Sequence, residues 1–156
     1  MNKTDILHQY SLIKSFRETH PAPVDSLGSS SIYAQLEGPE DQKKFLLLVS
    51  LLLSAQTNDK TTYKVMMDIK HVEFTPAAVL KMSDSDLQDK LKGVNFRKKK
   101  AKYIKQLAGV VRAGSLPNSI EDVLKLKGMG AKLGHMYMQT AFDKVEGISV
   151  DTHCHR

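Results

Sequence analysis

Residues 124–132 read LKLKGMGAK, and this stretch decides our interpretation of the fold. Two glycines, Gly128 and Gly130, stand between a short helical pattern and a longer one. Glycine adopts positive φ readily and lets the backbone approach another surface, so the stretch predicts a tight turn between two helices. The N–H groups at the start of the second helix would then form a favourable site for an anion such as phosphate. The alternative is a plain helix–turn–helix corner in which the glycines only end a helix.

Capping residues and helical spacing predict further helices on both sides of this turn. Residues 45–53 form an apolar run rich in leucine, which favours a buried central helix over a buried strand. Residues 28–31 are typical of a loop. Four residues stand where a side chain can cap a helix: Thr57, Thr75, Ser83 and Ser119. No convincing run of strands is present, so we predict an all-α fold, a helical bundle with a helix–hairpin–helix motif at about residues 119–143.

Positive charge is concentrated in the second half of the chain. The 156 residues carry a formal net charge of +6, and residues 91–156 hold 13 Lys or Arg against 5 Asp or Glu. The densest run opens a predicted helix and begins with Arg97, Lys98, Lys99 and Lys100. Cations at a helix start oppose the helix dipole, so a role outside stability, such as binding a polyanion, would account for them. The alternative is a solvated helix face.

Composition excludes several other kinds of site. One cysteine, Cys154, cannot form an intramolecular disulfide or supply the several thiolates of a zinc or iron–sulfur site. The neighbouring His153 and His155 diverge on a helix and have no second ligand pair, so we predict no metal site. The longest apolar run, residues 45–53, is far shorter than the roughly 20 residues of a membrane span, and no signal peptide is visible. We expect a soluble, reduced, intracellular protein that does not enter membranes.

Three segments resemble the signatures of one enzyme family. Residues 126–132 are similar to the helix–hairpin–helix motif of the endonuclease III family of DNA glycosylases. Residues 150–153, which read VDTH, and residues 52–57, which read LLSAQT, resemble two further signatures of that family, in the same order and at similar spacing. Residues 134–136 and 145–153 are closest to its eukaryotic branch.

The resemblance implies a bifunctional enzyme of base-excision repair that acts on double-stranded DNA containing a damaged pyrimidine or an abasic site. In that chemistry Lys132 is the nucleophile that forms a Schiff base with the deoxyribose, and Asp151 assists electrostatically and by proton transfer. Gln56 fills the gap left by the extruded base. The DNA contacts would also include Lys127, Gly128, Gly130, Arg97, Lys98, Lys99 and Lys100.

Each of the three named side chains also has a plainer interpretation. Lys132 would be an exposed lysine near a helix start, and Asp151 would cap a helix. Gln56 would be a polar residue at a helix end.

The chain departs from the family pattern in its hairpin and at its end. Lys127 stands where proline is usual, and Gly134 stands inside a predicted helix where alanine is usual. We expect both changes to soften the hairpin, since glycine inside a helix costs about 1 kcal/mol. The chain stops at Arg156, before the helices and the four cysteines that hold the family's [4Fe–4S] cluster. We therefore expect an incomplete second domain and no cofactor in this chain.

The resemblance divides the chain into three parts. Residues 1–40 form an N-terminal segment that would pack on the missing C-terminal half, residues 41–150 form the helical domain, and residues 151–156 begin a further helix. We expect a monomer in the nucleus or the mitochondrion, with weak DNA binding and greatly reduced or no turnover. The alternatives to a repair enzyme are a non-catalytic helix–hairpin–helix module that binds DNA phosphates and a helical protein-interaction domain.

Overall fold

The computed structural model describes residues 2–114 and 116–151. Within these ranges every regular element is a helix and no strand forms, which confirms the predicted all-α class. The helices are α1 (Lys3–Thr19), α2 (Pro23–Leu27), α3 (Ser29–Ala34), α4 (Glu40–Ser54), α5 (Asp59–Lys70), α6 (Pro76–Lys81), α7 (Asp84–Lys90), α8 (Arg97–Ala113), α9 (Ile120–Leu124) and α10 (Ala131–Phe142). The interpretations of His153, Cys154 and His155, and of a further helix starting at 151–156, lie outside the described residues apart from Asp151.

Helix α4 is the centre of the bundle. Every residue from Phe45 to Leu53 is buried, and α3, α5, α8 and α10 pack around this run. Burying one Leu or Phe side chain contributes roughly 1.5–3 kcal/mol, so the run supplies much of the driving force for folding. Across the described part of the chain, no helix combines the length and the apolar content that crossing a membrane would require.

Three of the four predicted caps are correct. Thr75, Ser83 and Ser119 each accept a hydrogen bond from a backbone N–H three residues later. The expectation for Thr57 is wrong: Asn58 caps α5, and its side-chain oxygen accepts from the N–H of Thr61 at 2.8 Å. The hydroxyl of Thr57 is occupied elsewhere, because it accepts hydrogen bonds from the segment that opens α8.

The predicted loop at residues 28–31 is also wrong, because these residues enter α3. Ser29 and Ile32 are buried against α4, and the hydroxyl of Ser50 donates to that of Ser29 at 2.8 Å. A central helix that is apolar on all sides needs a cover, and small serines let α3 approach it closely. Ser29, Ile32 and Leu36 thus belong to the buried core, while the division of the chain at residue 40 stays a prediction.

Helix α1 stands apart from this core. None of its residues is buried, and it exposes an apolar row that includes Ile6, Tyr10, Ile13 and Phe16. An ion pair between Arg17 and Asp25, 2.7 Å long, joins its end to α2. The packing of residues 1–40 on another part of the protein stays a prediction.

Candidate active site and nucleic-acid interface

The hairpin between α9 and α10 lies where the sequence predicts it. Gly128 has a φ of +87°, and the N–H of Met129 donates to the carbonyl of Leu126 at 3.2 Å. A Cβ on Gly128 would lie 2.6 Å from the ring of Tyr103 and 3.0 Å from the side chain of Leu52. The turn is therefore pressed against α8 and α4, and glycine is required at this position both for its φ and for the space.

The second hairpin glycine faces open space. Gly130 is the N-cap of α10, with a φ of −103°, and no atom lies within 4 Å of where its Cβ would be. The start of α10 is thus unobstructed on this side. The free N–H groups of the first turn, together with the helix dipole, favour an anion there.

Gly134 lies where α9 and α10 contact each other. It is buried, and a Cβ there would lie 2.6 Å from Cδ1 of Ile120 on α9. That atom is the end of a flexible side chain, which would have to move to accept the methyl group of alanine. The expected softening of the hairpin stays a prediction, based on the low helix propensity of glycine.

Lys132 and Asp151 are brought together at the start of α10. The amine of Lys132 donates a hydrogen bond to Oδ2 of Asp151, and both side chains are partly exposed. The 18 residues between them comprise the rest of α10 and an irregular return segment. An amine and a carboxylate thus share a solvent-accessible position beside the hairpin, where a ligand can reach both.

Gln56 lies in the turn that ends α4. Its backbone has a φ of +54°, a conformation that residues other than glycine adopt rarely, and its side chain is exposed. The side-chain amide of Asn95 donates to the carbonyl of Gln56 at 2.5 Å. Gln56 and Phe96 line a hollow of about 210 Å³ with Lys99. Phe96, which sequence reasoning missed, also has positive φ and is 64% exposed.

Lys100 is buried, which corrects its prediction as a DNA contact. Only 5% of Lys100 is exposed, and its amine donates to the carbonyls of Leu53 (2.8 Å) and Ala55 (2.6 Å) and to the hydroxyl of Thr57 (3.0 Å). All three N–H groups of the ammonium are therefore used inside the protein. Lys100 is not free to contact a phosphate, whereas Lys98 and Lys99 beside it are exposed.

Burial of Lys100 gives the protein a predictable pH dependence. Burial lowers the pKa of the Lys100 amine to about 8, from 10.5 in a solvated lysine. Between these pH values the unfolded chain binds more protons, so this group's contribution to the free energy of unfolding rises with pH and is least below about pH 8. On going from about pH 7.5 to pH 10, the unsubstituted chain should gain at least about 2 °C in melting temperature relative to Lys100→Met. Thermal melts followed by circular dichroism measure this change. As the control, the unsubstituted chain should show no such gain in melting temperature relative to Lys98→Met. A difference independent of pH would contradict the prediction.

The remaining basic residues form a discontinuous positive surface near the hairpin. Lys98 and Lys99 are exposed and Arg97 is partly exposed at the start of α8, while Lys127 is exposed at the turn. The amine of Lys99 lies 5.7 Å from the ring centroid of Tyr103. The same ring lies against Gly128, so this surface reaches the hairpin. The structure adds a second charged region that the sequence did not single out, a cavity of about 760 Å³. Its charged lining residues are four lysines and two aspartates: Lys60, Lys64, Lys90, Lys92, Asp68 and Asp89. The spacing of its first two lysines, four residues apart in α5, is the one signal that could have indicated it.

Comparison with protein families and curated proteins identifies relatives of the same kind. Residues 49–156 match the family model of the HhH-GPD superfamily base excision DNA repair protein. Endonuclease III-like protein 1 of Gallus gallus is 35% identical over 151 residues, which cover 95% of this chain and 53% of that protein. The Bos taurus protein of the same name is 34% identical over 155 residues, covering 97% of this chain and 50% of that protein. The chain thus spans about half the length of these curated relatives.

Solved structures share the fold. A non-covalent endonuclease III–DNA complex matches with a TM-score of 0.75 at 22% identity, covering 99% of this chain and 66% of that chain. A trapped endonuclease III–DNA covalent intermediate matches with a TM-score of 0.74 at 21% identity, covering 98% of this chain and 66% of that chain. The helices and the hairpin described above are thus arranged as in these proteins.

Proposed function

The chain belongs to the HhH-GPD superfamily of base excision DNA repair proteins, and from this premise we propose that it is a bifunctional DNA glycosylase and abasic-site lyase. Its substrate would be double-stranded DNA that contains an oxidised pyrimidine or an abasic site. The observation that carries the proposal is the contact between Lys132 and Asp151 at the first turn after the hairpin. It provides an amine nucleophile and a carboxylate beside a helix start that favours phosphate.

The chemistry assigned to Lys132 is nucleophilic displacement at C1′ of the damaged nucleotide. The amine forms a bond to C1′ as the glycosidic C–N bond breaks, and the base leaves with the electron pair and takes up a proton. The attached amine loses a proton, and its lone pair then breaks the C1′–O4′ bond of the sugar while O4′ takes up a proton. The resulting iminium acidifies the proton on C2′. Removal of that proton breaks the C3′–O bond and releases the 3′ phosphate, while hydrolysis of the imine restores the lysine.

Asp151 has two tasks in this scheme. Its carboxylate accepts a proton from the ammonium of Lys132, which frees the amine for attack. Once Asp151 has passed this proton to the departing base or to water, its carboxylate is negative again and stabilises the positive charge that develops on the sugar. Capping of a following helix is compatible with both tasks, because a cap uses only part of the hydrogen-bonding capacity of a carboxylate.

The DNA would lie across the hairpin and the start of α8. The open face of Gly130 would bind a backbone phosphate, and Lys98, Lys99 and Lys127 would neutralise neighbouring ones. Extrusion of the damaged nucleotide costs a few kcal/mol in lost stacking and pairing. Gln56 would compensate for part of this cost, because its amide can both donate to and accept from the unpaired base.

Further features belong to the proposal. No cofactor is assigned to this chain, because it supplies a single cysteine where a [4Fe–4S] cluster of the family takes four. We propose that the protein is a monomer and that it is located in the nucleus or the mitochondrion. The apolar row of α1 would be covered by a part of the protein that corresponds to the sequence the relatives contain in addition to the matched region.

Borohydride trapping tests the function directly. The chain is incubated with a duplex containing one abasic site, the imine is reduced with sodium borohydride, and the adduct is measured by gel electrophoresis and mass spectrometry. Because borohydride makes a single imine permanent, we expect a covalent adduct with this duplex even when turnover is greatly reduced, and none with the intact duplex. A duplex with one oxidised pyrimidine, trapped in the same way, tests removal of the base. Binding without any adduct would instead favour the non-catalytic module.

The Asp151→Asn variant separates the carboxylate from the nucleophile. Because a carboxylate that transfers a proton typically contributes 10²–10⁴-fold, we expect the rate of adduct formation to fall by about a hundredfold or more. Affinity for the duplex should not decrease, since a negative charge is removed from the DNA-binding surface. Asp122→Asn is the matched control, because Asp122 also pairs with a lysine, Lys125, at 2.7 Å. Equal trapping rates for the Asp151 variant and the unsubstituted chain would contradict the role of Asp151.

A further inference from the structure

We propose that Lys100 is a positioning residue for Gln56, and that its buried amine holds the turn at the end of α4 in the conformation that presents Gln56 to DNA. The inference rests on the proposed function, in which Gln56 occupies the gap left by the extruded nucleotide. Its position in a run of basic residues gives no sign of this role. The amine of Lys100 binds groups inside the protein, whereas its neighbours Lys98 and Lys99 are exposed to solvent.

The hydrogen bonds of Lys100 surround Gln56 on both sides. Its amine donates to the carbonyls of Leu53 and Ala55, which precede Gln56, and to the hydroxyl of Thr57, which follows it. The carbonyls at the end of an α-helix have no partner within the helix, and the dipole makes that end negative. A cation with three donors is therefore suited to this position.

The turn needs such support because its backbone is unfavourable. Gln56 has a φ of +54°, and a residue other than glycine in this region costs about 1 kcal/mol or more unless the surroundings hold it. The carbonyl of Gln56 accepts from the side chain of Asn95, and the N–H of Asn95 donates to the hydroxyl of Thr57 at 3.3 Å. All of these donors come from residues 95–100, about 40 residues away in sequence.

Residues 53–57 and 95–100 thus form one hydrogen-bonded unit. The unit places two exposed side chains, Gln56 and Phe96, at the same hollow, and both residues have positive φ. Without the amine of Lys100, the carbonyls of Leu53 and Ala55 lose their donor and the turn can relax to an ordinary conformation with negative φ. Gln56 would then leave its position, although the exposed lysines that bind phosphate would remain unchanged.

Binding to two duplexes distinguishes positioning from simple charge. The dissociation constant is measured by fluorescence anisotropy for a duplex with one abasic site and for the intact duplex of the same sequence. We expect Lys100→Met to reduce the preference for the abasic duplex about tenfold, the effect of losing about 1.4 kcal/mol of selective interaction. Lys98→Met, which removes the same charge from an exposed position, should weaken both complexes equally and leave the preference unchanged.

Combined variants show whether Lys100 acts through Gln56. If it does, Gln56→Ala should reduce the preference by a similar factor, and the double variant should be no worse than Gln56→Ala alone. Asn95→Ala tests the same unit and keeps the hydrogen bonds of Lys100 to the carbonyls of Leu53 and Ala55. It should also reduce the preference and should also have no further effect when combined with Gln56→Ala. This second variant keeps the test valid if circular dichroism shows that Lys100→Met is unfolded.

Two results would overturn the inference, and they differ in meaning. If Gln56→Ala reduces the preference but folded Lys100→Met and Asn95→Ala do not, the positioning role is wrong and the proposed function is unaffected. If Gln56→Ala leaves the preference unchanged, the gap-filling role in the proposed function is wrong, and the positioning role is wrong with it. Independent effects that multiply in the double variant would likewise contradict action through Gln56.

Discussion

Replacing Lys132 by methionine should reduce the borohydride-trapped adduct with abasic-site DNA by more than a hundredfold, to the detection limit. Methionine keeps most of the length of the side chain but has no amine to attack C1′, and loss of a covalent nucleophile typically costs far more than this factor in rate. The adduct is measured on a denaturing gel, and its site on the protein is identified by mass spectrometry of peptides.

The matched control for this prediction is Lys125→Met. Lys125 also lies near the hairpin and also pairs with an aspartate, so its replacement removes the same charge and a similar contact. We expect it to lower DNA affinity slightly and to leave the adduct in place. An undiminished adduct in the Lys132 variant would show that another amine is the nucleophile.

The two hairpin glycines should respond in opposite ways to substitution by alanine. For Gly128→Ala, positive φ costs about 1 kcal/mol and the contact with Tyr103 adds about 1–3 kcal/mol. We therefore expect the melting temperature to fall by about 5–15 °C. Gly130→Ala should melt within about 2 °C of the unsubstituted chain, because its φ is ordinary and its Cβ would meet no atom.

DNA binding completes the comparison of the glycines. In Gly130→Ala the new methyl group occupies the open face where a phosphate would approach, so affinity for duplex DNA should fall although the fold is intact. Thermal melts and anisotropy titrations measure the two effects separately. Unchanged DNA affinity in Gly130→Ala would contradict phosphate binding at this face. An unchanged melting temperature in Gly128→Ala would contradict the packing described for the turn.

Features set by neighbouring residues could be predicted from the sequence. The caps at Thr75, Ser83 and Ser119 depend on a backbone N–H three residues away, and the central helix follows from the apolar run at 45–53. The hairpin at residues 128–130 is equally local, because the conformational freedom of its glycines is a property of these residues themselves.

Features that depend on distant contacts could not be predicted in this way. Lys100 is identical in type to its exposed neighbours, and its burial follows from carbonyls 45 and 47 residues earlier in the chain. The burial of Ser29 likewise depends on its contact with Ser50 in α4. Lys132 and Asp151 could be placed together only by family resemblance, since no periodicity relates two residues 19 positions apart.

The seating of Gly128 against Leu52 and Tyr103 has a consequence for how the sequence can change over time. Three segments meet at this one point, so a larger side chain on any of them must displace another. Leu52 also lies four residues before Gln56 in the sequence. The hairpin therefore packs close to the residue that we propose fills the gap left by the extruded base. Among descendants of this protein, we expect positions 52, 103 and 128 to accept substitutions in concert or not at all.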